Sequence, residues 1–224
     1  MAKKISIAID GPAAAGKSTI AKIVAKRLNF TYIDTGAMYR AFTYFVIKNK
    51  IDPKDEDACC KLIPKIKIEL KPNGIVLCNG EDVTGIIREP IVSQNVSYIA
   101  SYKPIRLFLV DEQRRMAINT SVVMDGRDIG TYVLPNAEVK IYQIASVETR
   151  AVRRYEENLS KGIVCTLKEI EEEVRKRDYI DSNREFAPLK PAPDSVLLDT
   201  SFMSINEVAD AVEEIIKRKT QEAK

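Results

Sequence analysis

Short apolar runs alternate along the chain with stretches in which apolar residues recur at helical spacing. The runs predict strands at Ile5–Ile9, Phe30–Asp34, a segment ending at Asp125, Val139–Ala145 and a short buried segment at Ser195–Asp199. The helical spacing predicts helices over Lys17–Leu28, over Ala37–Lys48, from about Ser93 to Ala117 with a break near Lys103 and Pro104, and from about Val147. Apolar strands that alternate with helices favour an α/β fold with a parallel sheet covered on both faces.

The segment from about residue 51 to residue 90 departs from this pattern. Its apolar and polar positions alternate around Asn73-Gly74 and again around Asn79-Gly80, which are hairpin signals. We therefore predict an insertion that contains a small antiparallel sheet.

The last two helices carry their own start signals. Thr166 and Glu169 have the spacing of a capping box, and Ser204 and Glu207 repeat it. The stretch "KGIVC" before Thr166 is predicted to be a loop.

A glycine-rich segment, "GPAAAGKST", lies between the first strand and the first helix and fits the phosphate-loop pattern G-x-x-x-x-G-K-S/T. Backbone N–H groups of such a loop and the N-terminus of the following helix bind polyphosphate. The predicted ATP-binding residues here are Gly11, Pro12, Ala13, Ala14, Ala15, Gly16, Lys17, Ser18 and Thr19. Lys17 supplies a positive charge to the phosphates, and the Ser18 hydroxyl is a candidate ligand for Mg²⁺.

The loop alone indicates a nucleotide and leaves kinases, motors and GTPase switches open. "NKID", from Asn49 to Asp52, matches the guanine-reading pattern of GTPases. It follows Lys17 too closely, ends a helix rather than a late strand, and has no D-x-x-G before it, so we interpret it as a surface turn.

The stretch "VVMDGRDIG" ends a strand in an acid, a base and a second acid. A phosphate loop needs an acid on a neighbouring strand to orient Mg²⁺ or its waters, and Asp125 supplies one. This role leaves Arg127 and Asp128 unexplained.

Further charges follow the second strand and lie on two later helices. Thr35 and Arg40 begin where the strand ends, so they can face the same crevice as the phosphate loop. Arg177, Asp181 and Arg184 share one helical face if the helix extends that far, and Arg150, Arg153 and Arg154 share another. Each cluster alone is typical of a solvated helix surface, but together they suit a site where two phosphates meet.

Composition narrows the chemistry. The 224 residues carry a net charge of only +3, which gives no case for nucleic-acid binding. They include no histidine, which excludes histidine bases and histidine-ligated zinc. The four cysteines, with no C-x-x-C spacing, are expected to be free thiols in a reducing cytosol. The apolar run within the start "MAKKISIAIDG" is too short for a signal peptide, and no apolar run approaches transmembrane length. We therefore expect a cytoplasmic protein without membrane contact.

These motifs together resemble the bacterial cytidylate kinases, within the nucleoside monophosphate kinase family of P-loop kinases. The resemblance covers nearly the whole chain through "IAIDGPAAAGKST", "YIDTGAMYR", "MDGRDIGTYVLPNAEVKIY", "RDYIDSNR" and "APLKPAPDSVLLDTS". It implies one P-loop kinase domain over 1–224, with a core at about 1–36 and 102–224, a monophosphate-binding insertion at about 37–101 and a lid at about 150–184. Thr35 stands where the family is expected to have Ser and keeps the hydroxyl.

The resemblance also implies roles for individual residues. Arg40, Arg127 and Arg184 would hold the CMP phosphate, Ser97, Arg106 and Asp128 would read cytosine, and Arg177 and Asp181 would face the ribose. Thr35 joins the CMP-binding set, and Arg153 and Arg154 belong to a lid over ATP. The implied catalytic residues are Lys17, Asp125, Arg127, Arg153 and Arg184, with Mg²⁺ held by Ser18 and Asp125, directly or through water.

The implied reaction is ATP-dependent phosphorylation of CMP, and of dCMP, by a monomer. Two alternatives stay open: a P-loop kinase for shikimate or another monophosphate, and a non-catalytic nucleotide-binding switch. A switch predicts slow hydrolysis without an acceptor, whereas the many arginines outside the phosphate loop favour a second anionic substrate.

Overall fold

A five-stranded parallel sheet forms the centre of the chain. The computed structural model describes residues 4–222; residues 1–3 and 223–224, which the predicted core includes, lie outside the described residues. The strands of this sheet are β1 (Ser6–Asp10), β2 (Thr31–Asp34), β6 (Val122–Gly126), β7 (Val139–Ile144) and β8 (Val196–Asp199), and they lie in the order β2-β6-β1-β7-β8. The helices are α1 (Lys17–Leu28), α2 (Thr35–Lys48), α3 (Glu56–Cys60), α4 (Pro90–Ile99), α5 (Lys103–Ala117), α6 (Val147–Ser160), α7 (Leu167–Asn183) and α8 (Ile205–Glu222).

Both faces of the sheet are buried because its central strands are apolar at successive positions. Ile7 and Ile9 of β1 pack against α1 and α8, whereas Ala8 points to the opposite face and packs with Val110 of α5. This two-sided burial confirms the predicted parallel sheet between helical layers.

The strand β8 corrects one expectation. It was predicted to be buried, but it pairs only with β7 at the edge of the sheet, and Leu197 is 63% exposed. An apolar run alone does not distinguish an edge strand from a central one.

The insertion contains the predicted small antiparallel sheet of β3 (Ile68–Leu70), β4 (Val76–Cys78) and β5 (Glu81–Asp82). Asn73 and Asn79 adopt positive φ values of 65° and 50°, which places both in the predicted turns. Val76 and Cys78 pack with Phe42 of α2 in one apolar cluster. The insertion therefore shares a core with the helix that leaves the sheet at Thr35.

The remaining start signals are confirmed. Thr166 and Glu169 form a reciprocal capping box at α7, and Ser204 and Glu207 do the same at α8. The predicted break near Pro104 separates α4 from α5. All four cysteines are free thiols, and among residues 4–222 no helix has the length and apolar character that crossing a membrane requires.

Candidate active site

Three carboxylates meet where neighbouring strands end. Parallel register places Asp34 of β2 beside Asp125 of β6, and Asp10 of β1 beside Gly126. The carboxyl ends of parallel strands all point the same way, and ligands bind beyond those ends in open α/β sheets. The phosphate loop leaves β1 at its carboxyl end, so these acids and the loop share one site.

Close packing against β7 fixes the start of the phosphate loop. Gly11 has a φ of 152°, and a Cβ atom there would lie 1.9 Å from the backbone oxygen of Gln143. The side-chain amide of Gln143 also donates to the Ala15 carbonyl at 2.6 Å. Only glycine fits this approach.

Arg150 and Asp178 hold the middle of the loop. The guanidinium of Arg150 donates to the Ala13 carbonyl at 2.9 Å and to Asp178 at 2.6 Å, and Asp178 accepts from the Ala13 N–H at 3.0 Å. Arg150 is buried. It therefore differs from Arg153 and Arg154, with which the sequence grouped it: it braces the loop.

Lys17 and Ser18 open α1 at the base of the site. The buried Lys17 ammonium donates to the Pro12 carbonyl at 2.7 Å. Burial, reinforced by the positive charge of Arg127, holds the pKa of Lys17 well below its usual value. Lys17 thus lies where the phosphate loop meets α1, close to Arg127.

Asp125 accepts two hydrogen bonds from side-chain hydroxyls. Ser18 Oγ donates to Asp125 Oδ2 at 2.7 Å, and the Tyr32 hydroxyl donates to Oδ1 at 2.8 Å. Burial, followed by the negative charge of Asp34, raises the pKa of Asp125.

The residues predicted for Mg²⁺ fit that ion. Ser18 and Asp125 present oxygen atoms, which Mg²⁺ prefers, within hydrogen-bond distance of each other. Across residues 4–222 no group of three or more His, Cys, Asp or Glu side chains is arranged to hold a metal. Few protein ligands suit a cation that keeps waters and binds substrate phosphates.

The arginines beyond the loop are paired with buried acids. Arg127 Nε donates to Asp181 at 2.8 Å. Asp128 accepts from Arg106 at 2.5 Å through one oxygen and from Arg184 at 3.3 Å through the other.

This cluster retains unused hydrogen-bond donors. Among residues 4–222 the Nε atoms of Arg40, Arg106 and Arg177 are buried without a hydrogen-bond partner. Burial, aided by the charge of Arg127, lowers the pKa of Arg177 to about 10. Burial opposes ionisation of Asp181, but the charges of Arg127, Arg177 and Arg184 hold its pKa below the usual value. Buried, unpaired donors are costly, so the site is suited to an anionic ligand that satisfies them.

One cavity of about 660 Å³ joins the loop to the arginine cluster. Ten cationic and seven acidic side chains line it, so an excess of positive charge faces the space. Of the predicted site residues, the cavity brings together Ala13, Ala14, Ala15, Gly16, Lys17, Ser18, Thr19, Thr35, Arg40, Ser97, Arg106, Asp125, Arg127, Asp128, Arg153, Arg154, Arg177, Asp181 and Arg184. Gly11 and Pro12 do not line it: Gly11 packs on β7, and Pro12 accepts from Lys17.

The predicted helical face of Arg177, Asp181 and Arg184 is only partly formed. The helix α7 ends at Asn183, so Arg184 is its C-cap and has extended backbone angles. All three side chains nevertheless reach the cavity.

The predicted lid arginines contact different elements. Arg153 donates to the Thr200 carbonyl at 2.7 Å. Arg154 pairs with Glu157 at 3.0 Å and reaches Ser93 of α4 at 3.4 Å.

The residues of this region that sequence reasoning missed include Asp10, Gln143 and Arg88. Asp10 is fully buried and accepts from the backbone N–H groups of Ile129 and Gly130 at 2.8 and 2.7 Å. Gln143 and Arg88 line the cavity, but neither belongs to a motif. Only Asp10 had a signal in the sequence, as the acid that directly precedes the phosphate loop.

Comparison with known proteins identifies similar chains. A family model described as cytidylate kinase matches residues 7–218. A cytidylate kinase of Geobacillus kaustophilus is 53% identical over 222 residues, covering 98% of this chain and 99% of the relative. One of Bacillus velezensis is 53% identical over 224 residues, covering 99% and 100%. A gluconokinase structure from Sinorhizobium meliloti matches with a TM-score of 0.52 at 11% identity, covering 98% of this chain and 97% of that one, and so shares the fold.

Proposed function

The chain belongs to the cytidylate kinase family, and from that premise we propose how its cavity transfers a phosphoryl group from ATP to CMP. It is a phosphotransferase that acts on CMP. This proposal rests on one cavity, in which the phosphate loop faces an arginine cluster that holds unpaired hydrogen-bond donors.

We propose that ATP occupies the loop side of the cavity. Residues 11–19 hold its phosphates, with Lys17 beside the migrating group, and Arg153 and Arg154 close over it from α6. Mg²⁺ would be held by Ser18 and Asp125, where it neutralises phosphate charge when bound. The mutual hydrogen bond of Ser18 and Asp125 supports this assignment.

The acceptor phosphate lies among Arg40, Arg127 and Arg184 in this proposal. One of its oxygens attacks the γ-phosphorus of ATP, a new P–O bond forms, and the bond to the bridging oxygen breaks, which leaves ADP. That oxygen is already anionic near neutral pH, so no general base is needed, in keeping with a chain that has no histidine. The arginines and Lys17 position the groups and neutralise charge.

The remaining predicted residues recognise the rest of CMP. Ser97, Arg106 and Asp128 would read cytosine, and their burial along the cavity supports this. Arg177 and Asp181 would face the ribose, and Thr35, whose hydroxyl donates to the Asp125 carbonyl at 2.6 Å, would belong to the CMP-binding set. We also propose that dCMP is an acceptor.

One chain supplies both the phosphate loop and the arginine cluster of the cavity, and we propose that the monomer is the active unit. The four free thiols support a cytoplasmic location.

Product identification tests this proposal. Purified protein with ATP, Mg²⁺ and CMP should form ADP and CDP in equal amounts, resolved by ion-exchange chromatography. Lys17→Ala should abolish CDP formation at an unchanged circular dichroism spectrum, because the loop forms but the migrating charge loses its partner. ADP released without CMP, and without CDP, would instead indicate a nucleotide-hydrolysing switch.

A further inference from the structure

Arg88 lies outside every motif of the sequence, yet it lines the cavity. It ends a short helical turn, Ile86–Arg88, in the insertion. Its guanidinium reaches back to the edge of the central sheet, where Nη2 lies 3.4 Å from Asp34 Oδ2. The insertion thus contributes a cation to a site built mainly by the sheet and its helices.

Asp34 holds a second arginine on its other oxygen. Arg40 Nη2 lies 3.4 Å from Asp34 Oδ1, and the same oxygen accepts the Ala37 N–H at 2.8 Å as the N-cap of α2. Since the cap fixes the carboxylate, Asp34 presents a fixed acceptor to both arginines. We call Asp34, Arg40 and Arg88 the Asp34 cluster.

The Asp34 cluster has one positive charge more than its carboxylate neutralises. Burial lowers the pKa of Arg40, and the nearby charge of Arg88 adds to this effect while that of Asp34 opposes it. Arg40 Nε is buried and has no partner among the described residues. Two cations at one acid, with a buried donor unused, form a site for a further anion.

Both contacts of the Asp34 cluster are longer than good charge-assisted bonds. Such bonds typically measure about 2.7–2.9 Å, whereas both arginines stand 3.4 Å from Asp34. Arg88 also keeps 38% of its side chain exposed. Arg88 is therefore held near the site and is free to take another acceptor.

We propose that Arg88 is a further binding residue for the phosphate of CMP, and that Asp34 holds it beside Arg40 until that phosphate engages both. The inference rests on the proposed function, since it names a residue of the same acceptor site. It differs from the set implied by the family resemblance, which assigned the phosphate to Arg40, Arg127 and Arg184.

Calorimetric titration of Arg88→Ala with CMP and with cytidine tests this role. The loss of one arginine–phosphate contact should raise the Kd for CMP about tenfold or more, whereas the Kd for cytidine, which has no phosphate, should change less than about twofold. Arg88→Lys should recover part of the CMP affinity, because it restores the charge but not the planar fork. Arg115→Ala is the matched control, since Arg115 is exposed on α5 and pairs only with Glu112 among the described contacts.

In steady-state assays, Arg88→Ala should raise the KM for CMP by a similar factor and leave the KM for ATP unchanged. Unchanged CMP affinity in Arg88→Ala, or an equal loss for CMP and cytidine, would overturn the inference. These outcomes are distinct from failure of the proposed function, in which the wild-type protein itself would make no CDP.

Discussion

Asp128 accepts hydrogen bonds from Arg106 and Arg184, and all three side chains are buried and line the cavity. Neighbouring Arg127 turns instead to Asp181. The two adjacent residues therefore serve separate ion pairs. A carboxylate has about four lone-pair sites, so Asp128 can accept from both arginines and also from a substrate amine.

At this residue scale, we expect Asp128→Asn to reduce discrimination between CMP and UMP. Cytosine has an exocyclic amine where uracil has an oxygen, and an ionised carboxylate accepts from the amine but opposes the oxygen. Asparagine adds a donor that suits uracil. The ratio of kcat/KM for CMP to that for UMP should fall by about tenfold, within the 1–3 kcal/mol typical of such contacts.

The ratio separates base recognition from loss of structure. Weakening the pairs with Arg106 and Arg184 would slow both substrates alike, and such a uniform loss with an unchanged ratio would count against base reading by Asp128. Asp111→Asn, at an exposed position of α5, is the control for the same chemical change.

At the scale of elements, Asp10 ties the end of β1 to the loop that follows β6. Its two oxygens accept the N–H groups of Ile129 and Gly130, the first residues of a π-helical turn, Ile129–Val133. That turn directly follows Arg127 and Asp128. Asp10 therefore fixes the position of the loop that carries Arg127 and Asp128 relative to the phosphate loop.

Burial raises the pKa of Asp10 to about 7 against the pull of those two N–H donors, from an ordinary value of 3.8. Between these values the folded protein binds a proton that the unfolded chain has lost, so folding takes up a proton. The contribution of Asp10 to the free energy of unfolding is fully present below about pH 4 and is lost as the pH rises to about 7. The full loss is on the order of 4 kcal/mol, since each pKa unit corresponds to about 1.4 kcal/mol.

Urea unfolding of the wild type and Asp10→Asn from pH 5 to pH 8 measures this effect. The unfolding free energy of the wild type should fall relative to the variant as pH rises to about 7, and the difference should then stay constant. Parallel pH profiles of the two proteins would refute the raised pKa.

Much of this element structure could be predicted from local patterns. The helix α1 matches its predicted bounds, and the turn at Asn73 and the capping box at Thr166 depend on neighbours in sequence. The exposure of β8 could not be predicted, because it depends on strand order. Arg88 and Asp10 were missed for the same reason: their partners, Asp34 and the Ile129 turn, lie 54 and 119 residues away.

At the scale of the whole molecule, the predicted monophosphate-binding insertion, residues 37–101, contacts the α6–α7 pair through α4. Arg154 of α6 reaches Ser93 of α4, and the ammonium groups of Lys54 and of Lys176 on α7 lie 5.5 and 5.7 Å from the centre of the Tyr98 ring of α4. These contacts link the predicted monophosphate-binding insertion to the predicted lid over ATP. Closing both segments would exclude water, which would otherwise accept the phosphoryl group.

This cavity is expected to transfer a phosphoryl group from ATP to cytidine monophosphate. The most direct test of this expectation is kcat/KM for ADP release, measured in a coupled assay with CMP, dCMP, UMP and AMP at fixed ATP and Mg²⁺. We expect CMP to be used best, with dCMP also accepted, and UMP to be weaker by about tenfold or more, the scale set by the proposed contact of Asp128 with the base. Equal use of all four, a preference for AMP, or ADP release independent of the acceptor would contradict the account.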